Sequence, residues 1–149
     1  MKISVQREDF DAGLEVKALS KNPKVGAVAS FVGVVREVPM TLEHYPGMTE
    51  NSIEKILEEA RGRWKVMGCT VIHRYGELQP CEQIVLVAVA SAHRGDAFAA
   101  CEFIMDYLKT RAPFWKKEQR AGGAQWVEAR ASDDQAAERW ELRQGATKP

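Results

Sequence analysis

The sequence QIVLVAVASAHRGDAFAACEFIMDYLKTRAP, residues 83–113, contains the two elements on which the predicted fold depends. Residues 83–91 are almost all apolar, which is typical of a buried strand. From about Asp96 to Arg111 apolar residues recur at helical spacing instead, and we expect that helix to pack on a sheet. Pro113 should end it near Arg111. The predicted apolar stripe consists of Phe98, Cys101, Met105 and Leu108, widened by Ala97, Ala100, Ile104 and Tyr107.

The remaining elements follow from hydrophobic periodicity and turn residues. Strands are predicted at 2–5, 25–36 with a bulge at Gly33, 40–45, 69–78 and 125–129. One helix should run from Asp9 or Asp11 to about Ser20, a second over 50–65 behind Thr49, and a third from Ser132 or Asp133 to Trp140. The order lacks regular βαβ alternation. It therefore favours an α+β fold, with a mixed or antiparallel sheet and packed helices, over a doubly wound sheet.

Length and charge set the class of protein. With 149 residues and 45% hydrophobic content, the chain is long enough for one domain over 1–149, of which 141–149 should fray. The 21 basic residues equal the 21 acidic ones, so the overall charge points neither to nucleic acid nor to a membrane. Any anion site must therefore be local.

The cysteines and the N-terminus indicate a cytoplasmic setting. Cys69, Cys81 and Cys101 are odd in number and widely spaced, and MKISVQREDF lacks the apolar segment of a secretory signal. The thiols are more often core residues than nucleophiles. No metal-ligand spacing appears, and we expect neither a metal nor a cofactor.

The stretch DYLKTRAPFWKKE, residues 106–118, concentrates cations around a proline. Lys109 should lie in the last turn of the long helix, and Pro113 could start a short turn that carries Lys116 back over it. The simpler alternative is that Lys109 and Arg111 only complement the helix dipole, an effect of about 0.3–1 kcal/mol.

A second basic pair stands at the other end of the same helix. His93 and Arg94 follow the buried strand directly, where free amide groups can meet an anion, although a capping and salt-bridge role is equally possible. The helix between them and Lys109 is roughly 24 Å long, so one chain cannot bring both ends to one small ligand. Either there are two sites or a second subunit completes one.

Arg36 is a third candidate, because it leaves a hydrophobic strand just after Gly33. It could pair with Glu37 or clamp an anion with two hydrogen bonds. His44, His73 and Arg74 lie within strand patterns and are interpreted as structural polar groups.

Six strings together resemble the large, catalytic subunit of molybdopterin synthase. They are SFVGVVR (30–36), LEHYPGM (42–48), VIHRYGEL (71–78), SAHR (91–94), FIMDYLKTRAPFWKKE (103–118) and WVEAR (126–130), in order within about 26–140. The resemblance implies an α+β fold of the alpha/beta-hammerhead type. It also implies an enzyme that transfers sulfur to cyclic pyranopterin monophosphate, forming the dithiolene of molybdopterin. The sulfur would come from a thiocarboxylate on the C-terminal Gly-Gly of a small ubiquitin-like partner, in a heterotetramer built on a homodimer.

The resemblance also implies which residues form the pocket. Substrate binding would fall on Arg36, His93, Arg94, Lys109, Lys116, Lys117, Glu118 and, more weakly, Arg130. Lys109 would neutralise the thiocarboxylate and Lys116 would act as general acid or base. The pocket would borrow residues across the dimer.

Two other functions fit parts of the sequence. An adaptor could use the same basic cluster only to receive the carboxylate of a partner's tail. A nucleic-acid module is disfavoured by the zero net charge and by the lack of aromatic residues alternating with basic ones on a central strand.

Overall fold

In the computed structural model, residues 1–120, 123–127 and 131–147 are described, and they form eight strands and four helices. The strands are β1 (Lys2–Gln6), β2 (Ala27–Val34), β3 (Met40–His44), β4 (Gly68–Arg74), β5 (Gly76–Leu78), β6 (Gln83–Ser91), β7 (Phe114–Arg120) and β8 (Gly123–Val127). The helices are α1 (Ala12–Leu19), α2 (Met48–Arg63), α3 (Arg94–Arg111) and α4 (Ala131–Thr147). The predicted α+β class is confirmed.

The first sheet has the strand order β1-β4-β6-β2 and is covered on both faces. β1 runs parallel to β4, while β4 and β2 both pair antiparallel with β6. One face packs against α2, α3 and α4, and the other contacts α1. Because both faces are buried, β6 is apolar throughout instead of alternating. The predicted bulge at Gly33 is present, since the β2–β6 register shifts between Gly33 and Val34.

The second sheet is antiparallel, in the order β5-β3-β7-β8. Its inner face buries Met40, Leu42 and Leu78 beside Val35. Two of its strands differ from the prediction. Residues 114–120 form β7, where a short turn was expected, and β8 begins at Gly123 and ends at Val127.

The predicted strand over 69–78 is divided between the two sheets. β4 ends at Arg74, and Gly76, at φ +93°, begins β5 in the other sheet. The amide of Tyr75, between them, donates to the Gln6 carbonyl at 3.0 Å. Glycine adopts this left-handed conformation without the penalty that a Cβ brings, which explains how one run of sequence serves both sheets.

Helix α3 confirms the effect of Pro113, because it ends at Arg111 and Ala112 is already extended at ψ 131°. Its buried face agrees with the prediction except at Phe98, which is 65% exposed, and at Phe103, which is fully buried although the predicted stripe omits it. Ala97 lies on the side of the helix that faces the sheet. Phe98, the next residue, is rotated from Ala97 by about 100° around the helix axis and faces away from the sheet. The apolar stripe therefore excludes Phe98.

Of the caps predicted for α1 and α2, one is present at the start of its helix, and the other is not. Asp11 caps α1 by accepting from the Leu14 amide at 3.1 Å, as predicted. Thr49 is not the cap of α2, which is Gly47; the Thr49 hydroxyl instead donates to the Tyr45 carbonyl at 2.8 Å. Helix α4 continues past Trp140 to Thr147. Among the residues described, no helix is both long enough and apolar enough to span a membrane.

Gly76 provides a stability test with a matched control. Gly76→Ala should lower the free energy of unfolding by about 1–2 kcal/mol, because alanine is strained at φ +93°. Gly62→Ala, in α2 with nothing within 4 Å of the added Cβ, should leave stability unchanged or raise it by up to about 1 kcal/mol. Urea unfolding of both variants measures the difference. Equal effects would show that the conformation of Gly76 does not govern the passage between sheets.

Candidate functional site

A cavity of about 600 Å³ lies where the C-terminal end of α3 meets the second sheet. Four of the residues predicted from the sequence line it together, namely Arg36, Lys109, Lys116 and Glu118. Its apolar wall includes Phe31, Met105, Leu108 and Phe114. The site thus combines several cations with apolar surface, as a pocket for an anionic ring compound would.

Lys109 and Lys116 reach this cavity from different elements. Lys109 is exposed in the last turn of α3. Lys116 lies on β7, so the predicted short turn after Pro113 is wrong. Side chains alternate along a strand, and Phe114, Lys116 and Glu118 therefore point together into the cavity.

Lys116 and Glu118 form an ion pair. Lys116 Nζ lies 2.9 Å from Glu118 Oε1, and the carboxylate side chain is only 10% exposed. A carboxylate at this distance stabilises the charged lysine and directs its ammonium protons. The pair therefore places a proton donor and a proton acceptor in the same wall.

Lys117 lies on the opposite face of β7. Its Nζ is 4.9 Å from the centroid of the Trp126 ring, and Trp126 is the residue paired with Lys117 on β8. Lys117 does not line the cavity of its own chain. Arg130 lies outside the described residues.

Arg36 is held by a short, tightly bonded connection. The preceding Val35 donates to the Glu82 carbonyl and accepts from the Cys81 amide, both at 2.9 Å. The Val38 amide then donates to the Arg36 carbonyl at 2.8 Å, across Glu37 at φ +68°. This is a three-residue γ-turn with its central residue in the left-handed region. In the described part of the chain Arg36 forms no ion pair with Glu37 or any other carboxylate, so its guanidinium can bind an anion.

His93 and Arg94 are far from this cavity in the same chain. Both are exposed, at the junction of β6 and α3 as predicted, and His93 is the N-terminal cap residue without a side-chain capping bond. Helix α3 has 18 residues, so its two ends are roughly 27 Å apart. A single chain brings Arg36, Lys109, Lys116 and Glu118 together but leaves this pair outside.

His73 is a cavity residue that the sequence interpretation missed. The strand pattern predicts a structural polar group, yet the His73 ring lines the cavity and stacks on Phe114 with centroids 3.7 Å apart and planes 17° apart. The pKa of His73 is lowered to about 4, chiefly by burial and to a smaller extent by the positive charges of Lys109 and His44, while the hydrogen bond to the Arg74 carbonyl opposes this shift. The alternation Cys69, Val71, His73 on β4 was a signal that could have found it, because it places His73 on the α3 side of the sheet.

His44 and Arg74 do have structural partners: Arg74 Nε donates to the Arg7 carbonyl at 2.9 Å, and His44 Nδ1 is 3.3 Å from the Thr49 hydroxyl.

The thiols are divided between interior and surface. Burial raises the pKa of Cys69 to about 12 and that of Cys101 to about 11, so both are inert at neutral pH. Cys81 is exposed. The expectation that the cysteines are core residues is confirmed for Cys69 and Cys101 and is wrong for Cys81.

The chain resembles known proteins over most of its length. Residues 5–111 match the family model described as MoaE protein. The molybdopterin synthase catalytic subunit of Ralstonia nicotianae is 58% identical over 146 residues, covering 93% of this chain and 83% of that one. The subunit of the same name from Escherichia coli is 53% identical over 146 residues, covering 93% and 97%.

Solved structures agree with this assignment. The molybdopterin biosynthesis MoaE protein from Burkholderia ambifaria MC40-6 matches with a TM-score of 0.82 at 57% identity, covering 94% of this chain and 98% of that one. Molybdopterin synthase from Staphylococcus aureus matches with a TM-score of 0.78 at 32% identity, covering 84% and 96%. The chain belongs to the MoaE protein family, and the resemblance found in the sequence is confirmed.

The half-buried His73 predicts a specific dependence of stability on pH. Its folded-state pKa, about 4, is below the usual 6.5, so the unfolded chain binds this proton first as pH falls. The titration of His73 should therefore not change the free energy of unfolding above about pH 6.5. As pH falls towards 4, it should lower that free energy by on the order of 3 kcal/mol.

The measurement compares wild type with His73→Gln in urea unfolding from pH 7.5 to pH 4. Other groups titrate in both proteins, so the difference between the two curves isolates His73. The stability of wild type should fall more steeply below about pH 6.5. Parallel curves would show that His73 is not held neutral by the fold.

The turn at Glu37 predicts a stabilising substitution. Glu37→Gly should raise the free energy of unfolding by about 1 kcal/mol, because glycine adopts φ +68° without strain. Glu37→Ala is the control, since it removes the carboxylate but keeps the Cβ, and should give no such gain. Urea denaturation of the two variants separates a backbone effect from a charge effect, and an equal gain in both would contradict the backbone explanation.

Proposed function

We propose that this chain is the subunit that transfers sulfur from the thiocarboxylated C-terminus of a small ubiquitin-like partner to cyclic pyranopterin monophosphate, forming the dithiolene of molybdopterin. The observation that carries this is the convergence of Arg36, Lys109 and Lys116 on one cavity with apolar walls. A phosphate and a thiocarboxylate are both anions, and the substrate ring requires apolar surface. The names of the relatives, molybdopterin synthase catalytic subunit, support the same reaction.

The charges suggest a division of roles. Arg36 follows Val35, whose backbone is held by two hydrogen bonds. Its planar guanidinium is suited to two hydrogen bonds with a phosphate. Lys109 is exposed at the end of α3, where an incoming tail can reach it, and neutralises the thiocarboxylate and the charge that develops during attack. Lys116 moves the proton, with Glu118 2.9 Å away as its partner.

A second copy of the chain completes the site in this proposal. His93 and Arg94 are roughly 24 Å along α3 from their own Lys109, so they serve the cavity of the other protomer and bind phosphate there. Arg130 and Lys117 would supply further positive charge to the bound substrate. The full assembly is a homodimer of this chain with one small subunit at each end, working in the cytoplasm. Residues 1–149 act as one domain.

Replacement of Lys109 tests the catalytic assignment. Lys109→Ala should lower dithiolene formation by at least about 100-fold, because in this proposal Lys109 is the cation that neutralises the charge developing during attack. Lys55→Ala, which removes an exposed lysine of α2, is the control for loss of one surface charge. The assay mixes the chain with thiocarboxylated small subunit and cyclic pyranopterin monophosphate. Near-normal product from Lys109→Ala would remove this residue from the mechanism.

Mixed dimers test whether the site is shared. A dimer with one Lys109→Ala chain and one Arg94→Ala chain, purified through two different tags, retains one intact site if Arg94 acts across the interface. It should regain about half of the wild-type rate, although each parent dimer is inactive.

The matched control pairs Lys109→Ala with Lys116→Ala. Both residues line the cavity of their own chain, so each site of that mixed dimer lacks one lysine and no activity should return. If the Arg94 combination is as inactive as this control, each site is built from one chain.

A further inference from the structure

His73 and Phe114 form a contact between the two sheets inside the cavity. Among the ring pairs of the described residues this is the near-parallel one; the others are tilted or edge-on. His73 belongs to β4 of the first sheet, and Phe114 is the first residue of β7 in the second. The stack therefore fixes the start of the strand on which Lys116 lies.

The orientation and tautomer of the His73 ring are also determined. Its Nδ1 lies 2.9 Å from the Arg74 carbonyl oxygen, which can only accept a hydrogen bond. Nδ1 thus carries the proton, and in the neutral ring Nε2 has the lone pair. A ring fixed by one hydrogen bond and one stacking contact is a rigid support for its neighbour.

The charges around the ring explain why a neutral aromatic group suits this place. Lys109 from α3 and His44 from β3 face it, and Arg36, Lys116 and Glu118 line the same cavity. Another fixed cation there would repel Lys109 and compete for the anion. A neutral imidazole packs against the site without changing its charge.

We propose that His73 is a positioning residue, which acts through its stack on Phe114 to hold Lys116 in place beside Lys109 while remaining uncharged. This inference rests on the sulfur-transfer function proposed above. Phe114 and Lys116 are two residues apart on one face of β7, so a shift of the phenyl ring moves the lysine with it. A displacement of about 1 Å at a catalytic group can cost on the order of 100-fold in rate.

Three variants separate positioning from general loss of stability. His73→Ala removes the stack and the hydrogen bond, and should lower kcat for dithiolene formation about 10- to 100-fold with the KM for the pterin substrate changed less than about threefold. His73→Phe keeps an aromatic ring and should recover most of kcat. Ile72→Val trims the other face of β4 and controls for lost stability. A wild-type kcat in His73→Ala, or a change in KM alone, would overturn the proposal.

Two measurements by NMR do not depend on activity. The side-chain ¹⁵N shifts of His73 should show the neutral Nδ1–H form at pH 7, and a charged or Nε2–H ring would contradict the assignment. Amide exchange in residues 114–118 should be faster in His73→Ala than in Ile72→Val. Equal exchange would mean that the stack does not hold β7, whether or not the wild type makes dithiolene. If the wild type makes none while β7 exchanges as expected, the sulfur-transfer function fails, and with it the role in that reaction.

Discussion

Pro113 has no amide hydrogen and a fixed φ, and α3 therefore ends at Arg111 with Ala112 already extended. The chain leaves the helix as a strand and pairs with β3 in the second sheet. Lys109 is thus the last lysine of α3, and Lys116 is the first lysine of β7. Because the break falls between them, two residues seven apart in sequence reach one cavity from two directions. The location of the site depends on this single change of backbone conformation.

The cavity is bounded by elements that are stabilised elsewhere. β6 and α3 supply most of the main core, so the end of α3 that carries Lys109 is anchored by burial and not by the site itself. β7 is held by antiparallel pairing with β3 and β8 and by the Phe114 stack. Such a rigid frame can hold several cations close together, because their mutual repulsion is smaller than the packing energy that fixes their backbones.

The sequence predicted the elements whose burial is regular. Helix α3, the bulge at Gly33 and the cap at Asp11 follow from periodicity or local chemistry alone. β7 escaped prediction because its inward positions are Phe114, Lys116 and Glu118, two of them charged. A strand that lines a polar site does not alternate between apolar and polar residues, so the usual signal is lost where function requires it.

His73 was missed for a related reason. Its partner Phe114 is 41 residues away along the chain, and no local pattern records a contact between sheets. The resemblance named Arg36, Lys109, Lys116 and Glu118, which the structure brings together, but it did not name this ring.

The division of the thiols has a practical consequence for spectroscopy. Cys69 and Cys101 are buried, while Cys81 is exposed. The Cys81 amide donates a hydrogen bond to the carbonyl of Val35, the residue before Arg36. A maleimide dye should therefore attach at one natural position, beside the cavity, without an engineered cysteine. The unmodified sequence thus already contains the attachment point for a fluorescent reporter of ligand arrival.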